Sequence, residues 1–175
     1  TMQLPDQDWS YTCTSPSSLA PSESDIVECI IVIPDDEPAG TEPIISLIME
    51  GDGIEISDTK SLLVEESPRL SWTLNSEPIA HEGYKSTYRI DVTNTGNSDI
   101  SHTLDVDAPD SWDARTTDGV RVVLSPGESR GMVLEFTPDG QDATISLNLI
   151  NAEQVDGATF EIPVDVMPSL GSDSD

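Results

Sequence analysis

Apolar and polar residues alternate along most of the second half of the chain. The period of two is clear at Leu70, Trp72 and Leu74, which are separated by polar residues. The segments that show the same period are 70–74, 88–92, 104–106, 120–124, 132–136, 145–149 and 160–166. Alternation places successive side chains on opposite faces of a sheet, and so many short strands in about 100 residues are typical of a Greek-key sandwich. The pattern predicts an all-β, immunoglobulin-like β-sandwich, with no helix.

The first part of the chain carries a weaker version of this pattern. The strands predicted there are 26–33, 44–49, 54–56 and 61–65. Pro163, within the last strand of the second part, indicates a sheet edge or a bulge because proline cannot donate to a ladder.

The two parts share a series of short motifs in the same order. Trp9 and Trp112 each precede a Leu-x-Pro-x-Glu-Ser sequence, at 19–24 and 124–129. The further matching pairs are Pro-Asp at 34–35 and 138–139, Ile-Ser-Leu at 45–47 and 145–147, and segments 59–64 and 159–164. Such internal similarity at a nearly constant offset indicates tandem copies of one module.

The repeat sets the predicted domain boundaries. Residues 1–66 form the C-terminal part of a sandwich module, 67–168 a complete module and 169–175 a flexible acidic tail. The first copy has only eight residues before Trp9, so its opening strands are expected to come from elsewhere in the parent protein or from another chain. A sandwich that lacks strands has an open edge, which can pair with another polypeptide.

The charge of the chain excludes some partners. Aspartate and glutamate total 34 against 7 lysines and arginines, a formal net charge of −27. Such a surface repels phosphate backbones and anionic lipids, so nucleic acid is excluded as a partner. The longest apolar run, 29–33, is far below the roughly 20 residues of a membrane helix, so no membrane insertion is expected in this segment.

Cys13 and Cys29 are the only cysteines. They flank the first Leu-x-Pro-x-Glu-Ser turn, on strands expected to face each other, and a disulfide between them would stabilise the module by roughly 3 kcal/mol. The alternative is a pair of buried free thiols. A disulfide favours an oxidising location, extracellular or at the cell surface.

Trp9 and Trp112 hold equivalent positions and allow two interpretations. An exposed indole could stack on a sugar ring, which is typical of a carbohydrate-binding module. A buried indole would close the end of the sandwich, and its recurrence in both copies favours this structural role.

Several carboxylates cluster in predicted loops and could bind Ca²⁺; no other cofactor is expected. They are Asp52, Asp105, Asp107, Asp110 and Asp113. Their spacing does not match an EF-hand loop. His81 and His102 have no neighbouring nucleophile or second ligand in sequence, so no catalytic triad is indicated and the chain is not expected to be an enzyme.

Three turn motifs support a family resemblance. They are Val-x-Asn-x-Gly at 92–96, Pro-x-x-Trp at 109–112 and Leu-x-Pro-Gly-Glu at 124–128. In these motifs the chain resembles CARDB-type (cell-adhesion-related) domains and the similar domains appended to some α-galactosidases, over about residues 69–167 and, as a partial copy, 1–66. The resemblance implies an immunoglobulin-like sandwich in large exported proteins of bacteria or archaea, used as a spacer, adhesion or accessory module.

The leading functional hypothesis is a non-catalytic structural or adhesive repeat module of a large secreted or cell-surface prokaryotic protein, in a stalk, surface layer or filament. Its partners would be neighbouring modules or subunits. One alternative is a carbohydrate-binding accessory module of a secreted hydrolase, with a glycan as partner. Another is a subunit that assembles by strand donation into an open sandwich edge.

Overall fold

The computed structural model describes residues 1–6, 8–14, 20, 22–51 and 54–169, without the side chains of residues 51 and 54. The chain divides into two compact units, Thr1–Glu66 and Ser67–Asp175. Strands dominate both units, and the prediction of an all-β sandwich fold is confirmed. Among the described residues, no helix has the length and apolar character needed to cross a membrane.

The first unit contains two small antiparallel sheets. Its described strands are β1 (Met2–Gln3), β2 (Ser10–Cys13), β3 (Cys29–Val32), β4 (Ile44–Gly51) and β5 (Ile54–Ser61). One sheet has the order β1-β4-β5 and the other is the pair β2-β3.

The second unit is built from two larger sheets. Its strands are β6 (Leu70–Leu74), β7 (Ile79–His81), β8 (Ser86–Asn94), β9 (Ile100–Asp107), β10 (Arg115–Thr116), β11 (Arg121–Leu124), β12 (Ser129–Phe136), β13 (Ala143–Leu149) and β14 (Thr159–Met167). The sheet orders are β10-β12-β8-β6 and β11-β9-β13-β14-β7, with β7 parallel to β14 and the other pairs antiparallel.

The inner faces of these two sheets form one apolar core. Met132, Leu134 and Phe136 on β12 are buried, and Ile145 and Leu147 on β13 lie in the same cluster. Each set is spaced by two residues because alternate side chains of a strand point to the same face. Burial of these side chains is therefore what the alternation in the sequence encodes.

The alternation in the sequence does not predict the shortest strands of the second unit. β7 has three residues and β10 two, so neither is long enough to show a period. In the first unit, the predicted strand 26–33 shortens to β3, and the two predicted strands 54–56 and 61–65 are replaced by β5.

The register of β5 explains the second difference. Lys60 and Asp58 lie opposite Ile45 and Leu47 of β4, so polar side chains occupy the face that β4 lines with apolar ones. Pairing with β4 determines this strand, and its own sequence has no clear alternation.

Candidate functional site

The disulfide of the first unit joins the two strands of its smaller sheet. Cys13 and Cys29 are paired across β2 and β3, with their Cα atoms 4.1 Å apart. This spacing is that of a non-hydrogen-bonded antiparallel pair. The next pair agrees, because the Thr14 amide donates to the Glu28 carbonyl at 2.9 Å. The disulfide therefore fixes both the pairing and the register of β2 and β3.

The two tryptophans at equivalent positions, Trp9 and Trp112, are buried and hydrogen-bonded to a carboxylate. The Trp9 Nε1 donates to Glu37 at 3.1 Å and the Trp112 Nε1 donates to Asp139 at 3.0 Å. Trp112 is also stacked on Phe136, with ring centroids 5.4 Å apart and planes 13° apart. A sugar needs an exposed ring face, and neither indole offers one. The burial of Trp9 and Trp112 agrees with the structural role that the repeat favours, rather than with stacking on a ligand.

Asp139 serves as the anchor for the loop around Trp112. The Ser111 hydroxyl donates to its carboxylate at 2.6 Å, beside the bond from Trp112. These hydrogen bonds, from Ser111 first and Trp112 second, lower the pKa of Asp139 below its ordinary value. The carboxylate is thus held ionised as part of the fold.

The aspartates proposed for Ca²⁺ do not come together as a ligand set. Asp105 and Asp107 both lie on the exposed face of β9, while Asp110 begins a short 3-10 turn. Asp113 follows that turn and accepts a hydrogen bond from Arg115 at 3.3 Å. Nowhere in the described part of the chain do three or more His, Cys, Asp or Glu side chains form a group that could hold a metal ion. Asp52 lies outside the described residues.

The glutamate of the Leu-x-Pro-x-Glu-Ser motif accepts the same hydrogen bond in both units. The Ser125 amide donates to the Glu128 carboxylate at 2.9 Å, and the Ala20 amide donates to the Glu23 carboxylate at the same distance. The residue before each glutamate, Gly127 or Ser22, has φ of 76°. The glutamate therefore closes its own turn, which accounts for its place in the motif.

Asn94 and Gly96 form the turn that the Val-x-Asn-x-Gly motif predicts, and the structure adds the contacts that hold it. The Asn94 amide group donates to the carbonyls of Ser98 and Leu124, and its oxygen accepts from the Gly96 amide. A Cβ at Gly96 would collide with the carbonyl oxygen of Ser67. The motif thus closes a turn against the start of the second unit.

The strand pairings of the first unit correspond to part of the second. The pair β2-β3 matches β10-β12, and β1-β4-β5 matches β9-β13-β14. The registers agree as well, because Cys13 faces Cys29 where Thr116 faces Leu134. The amide of Thr117 donates to Val133, as that of Thr14 does to Glu28.

The sheet β1-β4-β5 corresponds to β9-β13-β14 in the same way, except that the offset changes in β5. Met2 faces Leu47 as Val106 faces Leu147. Ile45 faces Lys60, however, where Ile145 faces Ile162. The offset in β5 is therefore 102 residues, and the sequence match of 59–64 with 159–164 is out of register by two.

One edge and one inner surface of the first unit remain open among the described residues. In the second unit β8 pairs with the far edge of β12, but no described strand pairs with the corresponding edge of β3. Met49 on the inner face of β4 is 47% exposed, whereas its counterpart Leu149 is 7% exposed. A cavity of about 200 Å³ lies beside Met49, lined also by Tyr11, Cys13, Val27 and Leu47 among others.

Comparison with known proteins gives matches only among solved structures. No family model and no curated protein matches the chain. Domains 4 and 5 of the S-layer protein SbsC are similar at 12% identity and a TM-score of 0.39, over 73% of this chain and 66% of that one. Domains 4–9 of SbsC are similar at 11% identity and a TM-score of 0.41, over 99% of this chain and 24% of that one.

A CARDB domain from Pyrococcus furiosus, described in complex with di-metal ions, is also similar. Its identity is 17% and its TM-score 0.33, over 56% of this chain and 89% of that one. The chain spans less than two thirds of the length of each SbsC structure.

Proposed function

We propose that the chain is a non-catalytic structural or adhesive part of a larger secreted or cell-surface prokaryotic protein. The observation that supports this proposal is the similar strand pairing in two successive units. The pairs β2-β3 and β10-β12 share one register, and each unit has an indole-to-carboxylate hydrogen bond and a glutamate-closed turn. Repetition of a unit that has its own interior is an economical way to lengthen a protein.

The disulfide supports an oxidising location. Disulfides persist in extracellular and surface proteins and are rare where the thiol pool is kept reduced. The Cys13–Cys29 bond links two short strands, each of four residues, that bury little apolar surface of their own. A covalent link is valuable to so small a sheet.

The acidic surface fits this setting and suggests what the partners are. A net charge of −27 keeps the chain soluble and disfavours contact with anionic lipids and nucleic acids. The partners of such a unit are therefore protein: neighbouring modules of the parent chain or other subunits of the same surface assembly.

Labelling of intact cells tests the proposal. Antibodies raised against the chain should decorate unpermeabilised cells of the native organism, and external protease should remove the signal. Cys13 and Cys29 in protein isolated under thiol-blocking conditions should become reactive only after reduction. Labelling that requires cell lysis, together with free thiols in the isolated protein, would overturn the proposed location and role.

A further inference from the structure

We propose that two copies of this chain associate through the outer face of the sheet β10-β12-β8-β6. A two-fold axis lies in the plane of the contact, perpendicular to the strands, and crosses β8 at Ile90 and β12 at Met132, which face each other in the sheet. The inference rests on the proposed function for its setting, a surface assembly of many copies, and it adds the face through which the copies meet.

The outer face of this sheet carries no net charge at its strand positions, although the chain is strongly acidic. The charged residues there are two arginines and two carboxylates: Arg89, Arg115, Asp91 and Glu135. The outer face of the five-stranded sheet has one arginine and four carboxylates, a net charge of −3: Arg121, Asp105, Asp107, Glu161 and Asp165. Because the whole chain has a net charge of −27, two copies repel each other through most of their surfaces. The neutral face is where they can approach.

Short side chains and one glycine keep this face flat. The Thr93 and Ser129 hydroxyls are hydrogen-bonded to each other at 2.8 Å across β8 and β12. Gly131 lies opposite Asp91, and a Cβ there would be 3.0 Å from Asp91 Oδ1 and 3.2 Å from Arg89 Nη2. The glycine therefore leaves room for both charged groups to lie across β12.

Arg89 and Asp91 form the accessible ion pair of this face. Arg89 Nε is 3.6 Å from Asp91 Oδ1, and the two side chains are 70% and 39% exposed. Glu135 is less accessible, because it is 18% exposed and is already paired with Lys85 at 2.8 Å and Arg115 at 3.3 Å. A second copy would therefore meet the Arg89–Asp91 pair first.

The order of charges along β8 makes the face complementary to itself. Arg89 and Asp91 are the neighbours of Ile90 on either side, and both point outward because alternate side chains of a strand share a face. Rotation about an axis through Ile90 reverses this order, so Arg89 of each copy lies opposite Asp91 of the other. One operation thus brings opposite charges together twice. Such complementarity favours a second copy as the occupant over an unrelated segment.

The size of the face sets the strength of the contact. The eight residues of β12 span about 27 Å, and four strands about 4.8 Å apart give a width of about 19 Å. Two such faces bury about 1,000 Å² in total, which is at the lower limit for a specific interface. We therefore expect a dissociation constant in the micromolar to millimolar range. Many copies held together in a surface assembly would strengthen so weak a contact.

Sedimentation equilibrium of the full chain up to about 1 mM tests the contact, in about 0.5 M NaCl to screen the long-range repulsion. We expect a reversible monomer–dimer equilibrium. Arg89→Asp places like charges opposite each other and should lower the association constant by about tenfold or more. Arg121→Asp changes the net charge equally on the other sheet and should associate as the parent does.

A charge exchange separates the pairing from damage to the fold. Arg89→Asp combined with Asp91→Arg restores opposite charges across the axis and should recover most of the association that Arg89→Asp loses. Thermal melting should show both variants folded. A chain that stays monomeric at about 1 mM would overturn the contact. Equal weakening by Arg89→Asp and Arg121→Asp, or no recovery in the exchanged variant, would overturn it as well. Surface labelling of cells reports separately on the proposed function.

Discussion

Replacement of Trp112 by alanine tests the structural role of the buried indoles. The Trp112 side chain is fully buried, is stacked on Phe136 and donates a hydrogen bond to Asp139. Alanine leaves a large cavity between the sheets. It also removes the stacking partner of Phe136 and the hydrogen-bond donor of Asp139. Tryptophan-to-alanine changes of this kind cost about 3–5 kcal/mol.

The expected loss is large enough to measure by calorimetry. For a domain of about 100 residues, each kcal/mol lowers the melting temperature by about 4–8 °C, so Trp112→Ala should lower that of the second unit by roughly 20 °C. Trp112→Phe is the matched control because it keeps a ring against Phe136 and loses the Nε1 donor. Its melting temperature should fall between those of the parent and the alanine variant.

An unchanged melting temperature of Trp112→Ala would refute the structural role of the indole. If Trp112→Ala unfolds within about 3 °C of the parent, which is less than the shift for 1 kcal/mol, the indole does not support the core. Loss of a bound glycan by a variant of unchanged stability would restore the stacking interpretation of Trp112.

Three further predictions concern single contacts. Reduction of the Cys13–Cys29 disulfide should destabilise residues 1–66 by about 3 kcal/mol and leave the calorimetric transition of the second unit unchanged; equal loss in both units would contradict this. The lowered pKa of Asp139 contributes stability that is present above its unfolded pKa of about 3.9 and lost as pH falls through the lower folded value. Urea titrations from pH 5 to about pH 2 should therefore show a smaller loss of unfolding free energy in Asp139→Asn than in the parent. Equal pH dependence of the two proteins would contradict this role of Asp139. Gly96→Ala should cost about 1–3 kcal/mol in urea unfolding, because its Cβ meets the Ser67 carbonyl; an unchanged midpoint would show that the turn can open.

The sequence predicts the fold best where one sheet face is buried. β8, β12, β13 and β14 show a period of two because their alternate side chains fill the core. β5 shows none because Asp58 and Lys60 occupy positions where β14 has Phe160 and Ile162. The strand β5 forms because it pairs with β4, and such pairing cannot be seen in the alternation of apolar and polar residues along the chain.

The site is less predictable than the fold because its contacts are distant in sequence. Trp9 and Glu37 are 28 residues apart and Trp112 and Asp139 are 27 apart. The repeat indicates that the two tryptophans are equivalent, but the burial of Trp112 depends on strands from both sheets of the second unit. The open edge of β3 likewise becomes apparent only when its register is compared with that of β12.

Cross-strand proton contacts measured by nuclear magnetic resonance test most directly whether one sandwich plan recurs in both units. In a non-hydrogen-bonded antiparallel pair the two Hα atoms are close. We predict strong Hα–Hα contacts between Cys13 and Cys29 and between Thr116 and Leu134. Contacts of Thr116 that are shifted along β12, or none between Cys13 and Cys29, would contradict the shared plan and remove the main support for the proposed function.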